Sequence, residues 1–407
     1  MEKRPYFLRN EIQHYAWGTK NREAFIPNLI KVPVESGLPY AELWMGAHPK
    51  APSCIQLNQE QIPLDKAIRR FPEKILGQAN LQKYGKNLPF LFKVLSANQA
   101  LSIQVHPNKK QARLLHKSKP EHYPDENHKP EIAIALDGLT ALAGFRSWTA
   151  IEMMLNEVPE IQSLVSLFFR PADIKQSNPQ NLHYIFEVLM NRISADHSKM
   201  EQTLDCLENR LKNKSLELNE HETLFLSLRK IYPGPDIGLL ALFFLNLIHL
   251  EPAQSIFLNA GLPHAYIRGN IVECMANSDN VVRAGLTSKY CDIETLTDIV
   301  VYNENPVPIT NPDLNIQAFT YPAPAEEFQV SRIRLVPDVS VSRKTLDRPA
   351  ILLCTAGRCR VRWKSEAEYL HLNIERGQSI LIPAFLPEYD LMADEDCLLF
   401  EATTPLN

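Results

Sequence analysis

Gln254-Ser255-Ile256-Phe257-Leu258-Asn259-Ala260-Gly261-Leu262-Pro263-His264-Ala265-Tyr266 occurs in this chain a second time, in weakened form. The copy is Gln378 to Asp390, offset by 124 residues, and six of thirteen positions are identical: Gln, Ser, Ile, Ala, Leu and Pro. Ser255 to Leu258 reads as a short apolar strand, and Gly261 allows a tight turn before the next one. Two copies of one unit predict two β domains that are versions of one small barrel. Glu388 stands in the second copy where His264 stands in the first. The second domain is therefore expected to keep the architecture without the chemistry.

Outward from this repeat, short β-prone runs fill the first third of the chain, among them Ala51 to Leu57, Phe90 to Leu95, Leu101 to His106 and Ile132 to Leu136. From Ser147 to about Leu250 the apolar spacing turns helical, as in Leu182 to Ile193, Met200 to Leu211 and His221 to Ile231. Thr149 to Glu152 fits a capping box, and Asp236 is placed to cap an apolar helix that closes the block. After Pro252 the strand pattern returns. The expected division is a β domain over 1–146 and 251–320, a helical insertion over 147–250, and a second β domain over 321–407.

Composition narrows the function. The chain has 407 residues, 45% hydrophobic and 22% charged, which suits two or three globular domains and excludes disorder and collagen. Its 43 Lys and Arg against 47 Asp and Glu leave a net charge of −4. No basic field gathers nucleic acid or anionic lipid, so a bound anion needs a local cluster. The longest apolar stretch, Ile237 to Leu250, is broken by Asn246 and His249 and is too short for a membrane span. Met1 to Pro5 leads into no signal core, and the expectation is a cytoplasmic monomer. Seven scattered Cys without C-x-x-C exclude a disulfide framework and a thiolate zinc site. Any metal must be held by nitrogen and oxygen.

Strand parity supplies those ligands. In Leu101 to Pro107, Leu101, Ile103 and Val105 share one face, and Ser102, Gln104 and His106 share the other. Glu131 opens Ile132 to Leu136 on the face of two alanines, which leaves room before its carboxylate. His264 follows the Gly261 turn. Each residue alone reads as ordinary strand polarity. Together Gln104, His106, Glu131 and His264 form a set suited to Zn²⁺, with Fe²⁺ or Mn²⁺ as alternatives. No H-E-x-x-H, P-loop or G-x-G-x-x-G motif is present.

Several longer words carry a family resemblance: Tyr15 to Gly18, Glu42 to Pro49, Leu88 to Leu95, Ser102 to Pro107, Tyr123 to Glu131 and Gly261 to Lys289. In these the chain resembles type I mannose-6-phosphate isomerase. The resemblance implies a mainly β fold with α, built as two cupin-type β-barrels with a helical domain inserted in the first. It implies one Zn²⁺ on Gln104, His106, Glu131 and His264, and a small-molecule hexose phosphate as substrate. The implied reaction interconverts D-mannose 6-phosphate and D-fructose 6-phosphate by enediol proton transfer between C1 and C2.

By the same resemblance Arg283 is the catalytic cation, and Lys129 and Glu273 are both candidates for the base. Zinc and Arg283 nearby are expected to lower a lysine and to hold a carboxylate ionised. His128 and Asp279 are candidate proton relays. Ser102, Lys93 and Lys289 are expected at the phosphate; Tyr266, Trp17 and His48 are expected to line the sugar cleft; Glu42 and Trp44 read as structural. Two further readings fit parts of this set. Two His and a carboxylate also make a non-haem iron triad, although Gln104 would close a position that oxygen needs. A sugar-phosphate sensor with a metal anchor would bind the sugar without exchanging its C1 proton.

Overall fold

Glu131 to Ala135 alternates isoleucine with alanine, and both faces of that strand are buried. Ile132 and Ile134 enter one core with Phe92, Val94, Val272 and Cys274. Ala133 and Ala135, of opposite parity, pack with Leu95, Tyr266 and Ile271 in another. Each buried aliphatic side chain contributes roughly 1.5–3 kcal/mol, so the strand is anchored from both sides. These relations come from a computed structural model that describes residues 1–168, 179–365 and 368–406.

The strand runs on to Phe145 and forms the spine of a ten-stranded sheet. His264–Ala276 pairs antiparallel along it, from Glu131 opposite Met275 to Ala143 opposite His264. Phe90–Ala97, Glu42–Gly46 and Glu11–Gln13 continue outward in that order. Ser255–Leu258 and Leu245–Leu250 share the spine's other edge. The short strand Ile103–Val105 bridges the His264 end to Val282–Gly285.

The helical insertion starts earlier than the Thr149 box predicts. Ser147 is the N-cap of Trp148–Glu157, its hydroxyl accepting from Ala150 N. Glu304, from a distant loop, accepts from Trp148 N at 2.9 Å. Asp196 and Asn219 cap His197–Lys212 and Glu220–Ile231 in the same manner. The part of the expected insertion at 169–178 lies outside the described residues. The apolar helix expected after Asp236 is corrected: helix covers Gly238–Ala241, one tighter turn follows, and Leu245–Leu250 is a strand. The bare backbone of the spine from Leu139 to Phe145 needs partners there, and pairing prevails over local propensity.

The last part of the chain forms a six-stranded and a four-stranded sheet around a shared apolar core that includes Ile333, Leu352, Val361, Trp363 and Tyr389. Strands stand at both copies of the repeated sequence: Ser379–Ile382 and Glu388–Met392 in the second, Ser255–Leu258 and the start of His264–Ala276 in the first. Tyr6–Phe7 pairs with Ser379–Ile382, tying the N-terminal segment to this last region. The fold is thus mixed α/β, with antiparallel sheets and a helical insertion. No helix among the described residues is long and apolar enough to cross a membrane.

Candidate metal centre and substrate cavity

Three strand ends converge under one cavity. Gln104, mid-strand, lies opposite His264 on one side and opposite Arg283 on the other. Ile103 and Val105 are fully buried on the reverse face, as the parity argument requires. His264 opens its strand after Gly261, whose φ is +80°; a Cβ there would lie 2.4 Å from Val301 Cγ2, so only glycine fits the turn. Glu131 opens the spine and His106 follows Val105.

His106 Nε2 lies 3.6 Å from Glu131 Oε1, and His264 Nε2 lies 3.4 Å from Glu131 Oε2. One ligand atom from each of the three lies within 4.8 Å of the others. The Gln104 amide is 3.3 Å from His264 Nε2, and a half-turn of that amide exchanges its nitrogen for its oxygen. Both Nδ1 atoms are engaged: His106 donates to Asn280 O at 2.7 Å and His264 to Leu262 O at 2.9 Å. With the proton on Nδ1, each Nε2 presents a lone pair. His106 Nε2 and Glu131 Oε2 are buried without a hydrogen-bond partner. Leaving such atoms unsatisfied costs about 1–3 kcal/mol each, a cost that a divalent cation removes.

Charge states agree with this reading. Burial pushes His106 well below the ordinary histidine range, aided by the Lys129 ammonium, so it is neutral. Burial alone would raise Glu131, but the Lys129 ammonium beside it outweighs that and holds the carboxyl well below its usual range. The contact of Glu131 with His106 is therefore an approach of lone pairs, not an ion pair. Two imidazoles with their Nδ1 atoms engaged, a carboxylate and an amide form a donor set that fits Zn²⁺.

Above lies a cavity of about 1060 Å³. Cross-strand register lines up Glu273, Lys93 and Trp44 along one wall. Lys93 Nζ sits 2.7 Å from Glu273 and 3.7 Å from Glu42. Burial opposes its charge, but the carboxylates of Glu273, Glu42 and Glu131 outweigh that and raise its pKa. Tyr266 donates to Glu273 Oε1 at 3.0 Å, and Trp44 donates to Glu42. Glu273 itself is raised, first by burial and also by Glu131, against the pull of Lys93. Burial thus outweighs the neighbouring cations expected to hold this carboxyl down.

Arg283 and Ser102 line the cavity half-buried, and Lys289 lines it exposed. Arg283 has no ion-pair partner among the described residues. Lys129 lines it too, 2.7 Å from Glu131. At the rim Trp17 stacks on Tyr15, and Asp279 meets Lys50 at 2.9 Å and His48 at 3.6 Å. His128 is not part of the wall; its Nε2 meets Glu327 at 2.9 Å.

Sequence reading missed what holds the mouth in place. Asp236, expected only as a helix cap, accepts from Gly238, Leu286 and Thr287 amides and so ties the insertion to the loop after Arg283. Asp292 accepts from Lys119 and Tyr123, joining two mouth segments. Only the cap position of Asp236 is visible as a local signal.

Comparisons with known proteins agree with this geometry. The description "Phosphomannose isomerase type I, catalytic domain" matches residues 6–148, and "Phosphomannose isomerase type I, helical insertion domain" matches 156–245. Mannose-6-phosphate isomerase 2 of Arabidopsis thaliana is 36% identical, covering 93% of this chain and 88% of that protein. Mannose-6-phosphate isomerase of Mus musculus is 35% identical, covering 95% and 97%. A crystal structure of a mutant phosphomannose isomerase from Salmonella typhimurium superposes with a TM-score of 0.86 at 32% identity, over 99% of this chain and 100% of that one. A mannose 6-phosphate isomerase bound with zinc and yttrium gives 0.85 at 32% identity, over 99% and 100%. The chain therefore belongs to the type I phosphomannose isomerase family.

Proposed function

We propose that this chain is a zinc-dependent aldose–ketose isomerase that interconverts D-mannose 6-phosphate and D-fructose 6-phosphate. The observation that carries this is the pair of orphaned ligand atoms, His106 Nε2 and Glu131 Oε2, buried beneath a cavity lined by Arg283, which has no ion-pair partner among the described residues. Gln104, His106, Glu131 and His264 would hold the ion. A zinc ion bound there supplies Lewis acidity that polarises the sugar's oxygens.

The remaining work belongs to side chains. Glu273 is the assigned base, because burial shifts its carboxyl toward neutral pH, the direction a general base needs. It takes the proton from C2 of the aldose and returns it to C1 of the enediol, while the hydroxyl proton of O2 passes to O1, so that the C1 carbonyl becomes a hydroxyl and the C2 hydroxyl a carbonyl. Lys93 and Tyr266 hold its two oxygens in place. Lys129 stays against Glu131 and keeps that ligand ionised. Arg283 offers a planar fork to the developing enediolate, and Lys289 and Ser102 take the phosphate. Lys93 is committed to carboxylates and is not assigned to phosphate. Trp17, Tyr266 and His48 face the sugar; Asp279 steadies the rim and His128 acts from outside the wall.

We assign the chain to two cupin-type barrels, the first (1–146 and 251–320) bearing the site around the insertion 147–250, the second (321–407) without ligands. The strand–turn–strand repeat supports this. The chain is further assigned as a cytoplasmic monomer. A coupled assay before chelation, after it, and after zinc is returned tests the function. Activity should be lost and restored; a sensor would bind fructose 6-phosphate without exchanging its C1 proton, and that result would displace the enzyme reading.

A further inference from the structure

His106 and His264 present the same atom toward Glu131 but are steadied by different means. The acceptor for His264 Nδ1 is Leu262 O, two residues back, so the turn itself places it. The acceptor for His106 Nδ1 is the carbonyl of Asn280, 174 residues along the chain. No local geometry aims that carbonyl.

Asp125 is the hub that does. Its Oδ1 accepts from Asn127 N at 2.9 Å, Ser278 Oγ at 2.8 Å and Asn280 Nδ2 at 3.1 Å. Its Oδ2 accepts from Asp279 N at 2.8 Å. The fully buried Asn280 also shares its side-chain amide with Asp125 O at 2.8 Å and Asn127 O at 2.9 Å. One carboxylate and one amide thus staple 125–127 to 278–280. The carbonyl that accepts from His106 Nδ1 belongs to Asn280, the last residue of that staple, whose side chain the staple holds. Asp125 is not part of the cavity wall.

We propose that Asp125, acting through Asn280, is a positioning residue for the metal centre. By fixing the Asn280 carbonyl it keeps the His106 proton on Nδ1 and the Nε2 lone pair directed at the ion. Without the staple the Asn280 peptide can turn, and His106 can place its proton on Nε2, which removes a ligand. The proposal rests on the metal centre of the isomerase reading.

The test loads purified protein with Zn²⁺ and follows its release to a chelating dye, with circular dichroism as a check on folding. Asp125→Ala and Asn280→Ala should each release zinc about 10–100-fold faster than the parent, the usual cost of losing an outer-shell partner. Asn280→Ala keeps the backbone carbonyl and removes only the clamp; it and Asp125→Asn carry the test if Asp125→Ala does not fold. Asp292→Asn, which loosens the cavity mouth without touching His106, should release zinc at the parent's rate. Equal release from the parent, Asp125→Asn and Asn280→Ala overturns the positioning role alone. A parent that takes up no zinc overturns the isomerase reading and this proposal together.

Discussion

Glu273 and Arg283 face the same cavity, yet they fail in different ways when altered. As a base Glu273 must be ionised, so kcat/KM falls as pH drops through its pKa. That limb should lie above the ordinary carboxylate value of about 4.3, because burial raises Glu273. Glu273→Gln should lower kcat by about 10²–10⁴-fold and erase the acid limb from what remains. Retention of the parent pH profile would move the base elsewhere. Arg283→Lys keeps a charge but loses the fork. With hydrogen bonds to charged groups worth about 1.5–3 kcal/mol, a fall in kcat of about tenfold or more is expected. Its half-exposed position should leave stability within about 0.5 kcal/mol. Steady-state kinetics beside thermal melts read both. At this scale a period of two put Gln104 and His106 on one face, but each candidate ligand alone read as ordinary strand polarity and only the combined chemistry of the four suggested a metal. The charge state of Glu273 was not legible, since desolvation and the Lys93 contact exist only after four strands have aligned.

The elements around the mouth are held by contacts that no local pattern announces. Gly238, at the start of the short apolar helix, approaches the turn after Arg283 so closely that a Cβ would lie 2.4 Å from Leu286 N. Gly238→Ala should therefore push that turn away, lowering both Tm and kcat, whereas an unchanged kcat would mean that the turn does not position Arg283. Asp292 caps Ile293–Ile299 and joins Lys119 and Tyr123. Burial would raise its carboxyl, but the hydrogen bonds from Lys119, Thr295 and Tyr123 outweigh it and lower the pKa. A folded-state pKa below the unfolded one, about 3.9, gives stability that is complete above that value and is lost as pH falls through the folded one. Asp292→Asn should lower Tm by about 2–4 °C at pH 7, and the difference should close in acid. A pH-independent difference would refute the ionic origin. Leu245–Leu250 shows why such features escape a sequence reading: its apolar run suits a helix, and only the open edge of Glu131–Phe145 makes it a strand.

Across the whole molecule, the repeat at an offset of 124 was readable because turn residues and strand residues recur together, and the structure places strands at both copies. Tyr6–Phe7 joining the last sheet could not be read, because the pairing spans nearly the full chain and two residues carry no periodicity. What the fold achieves is convergence: Gln104, His106, Glu131 and His264 come from three separated segments to the floor of one cavity. A chain packed on several apolar cores does not need an ion to fold, unlike a zinc finger. The most direct test is the metal content of purified parent and His264→Ala protein, each confirmed folded by circular dichroism. The parent should carry one zinc per chain and His264→Ala far less with its fold intact; an active parent free of metal would contradict the account.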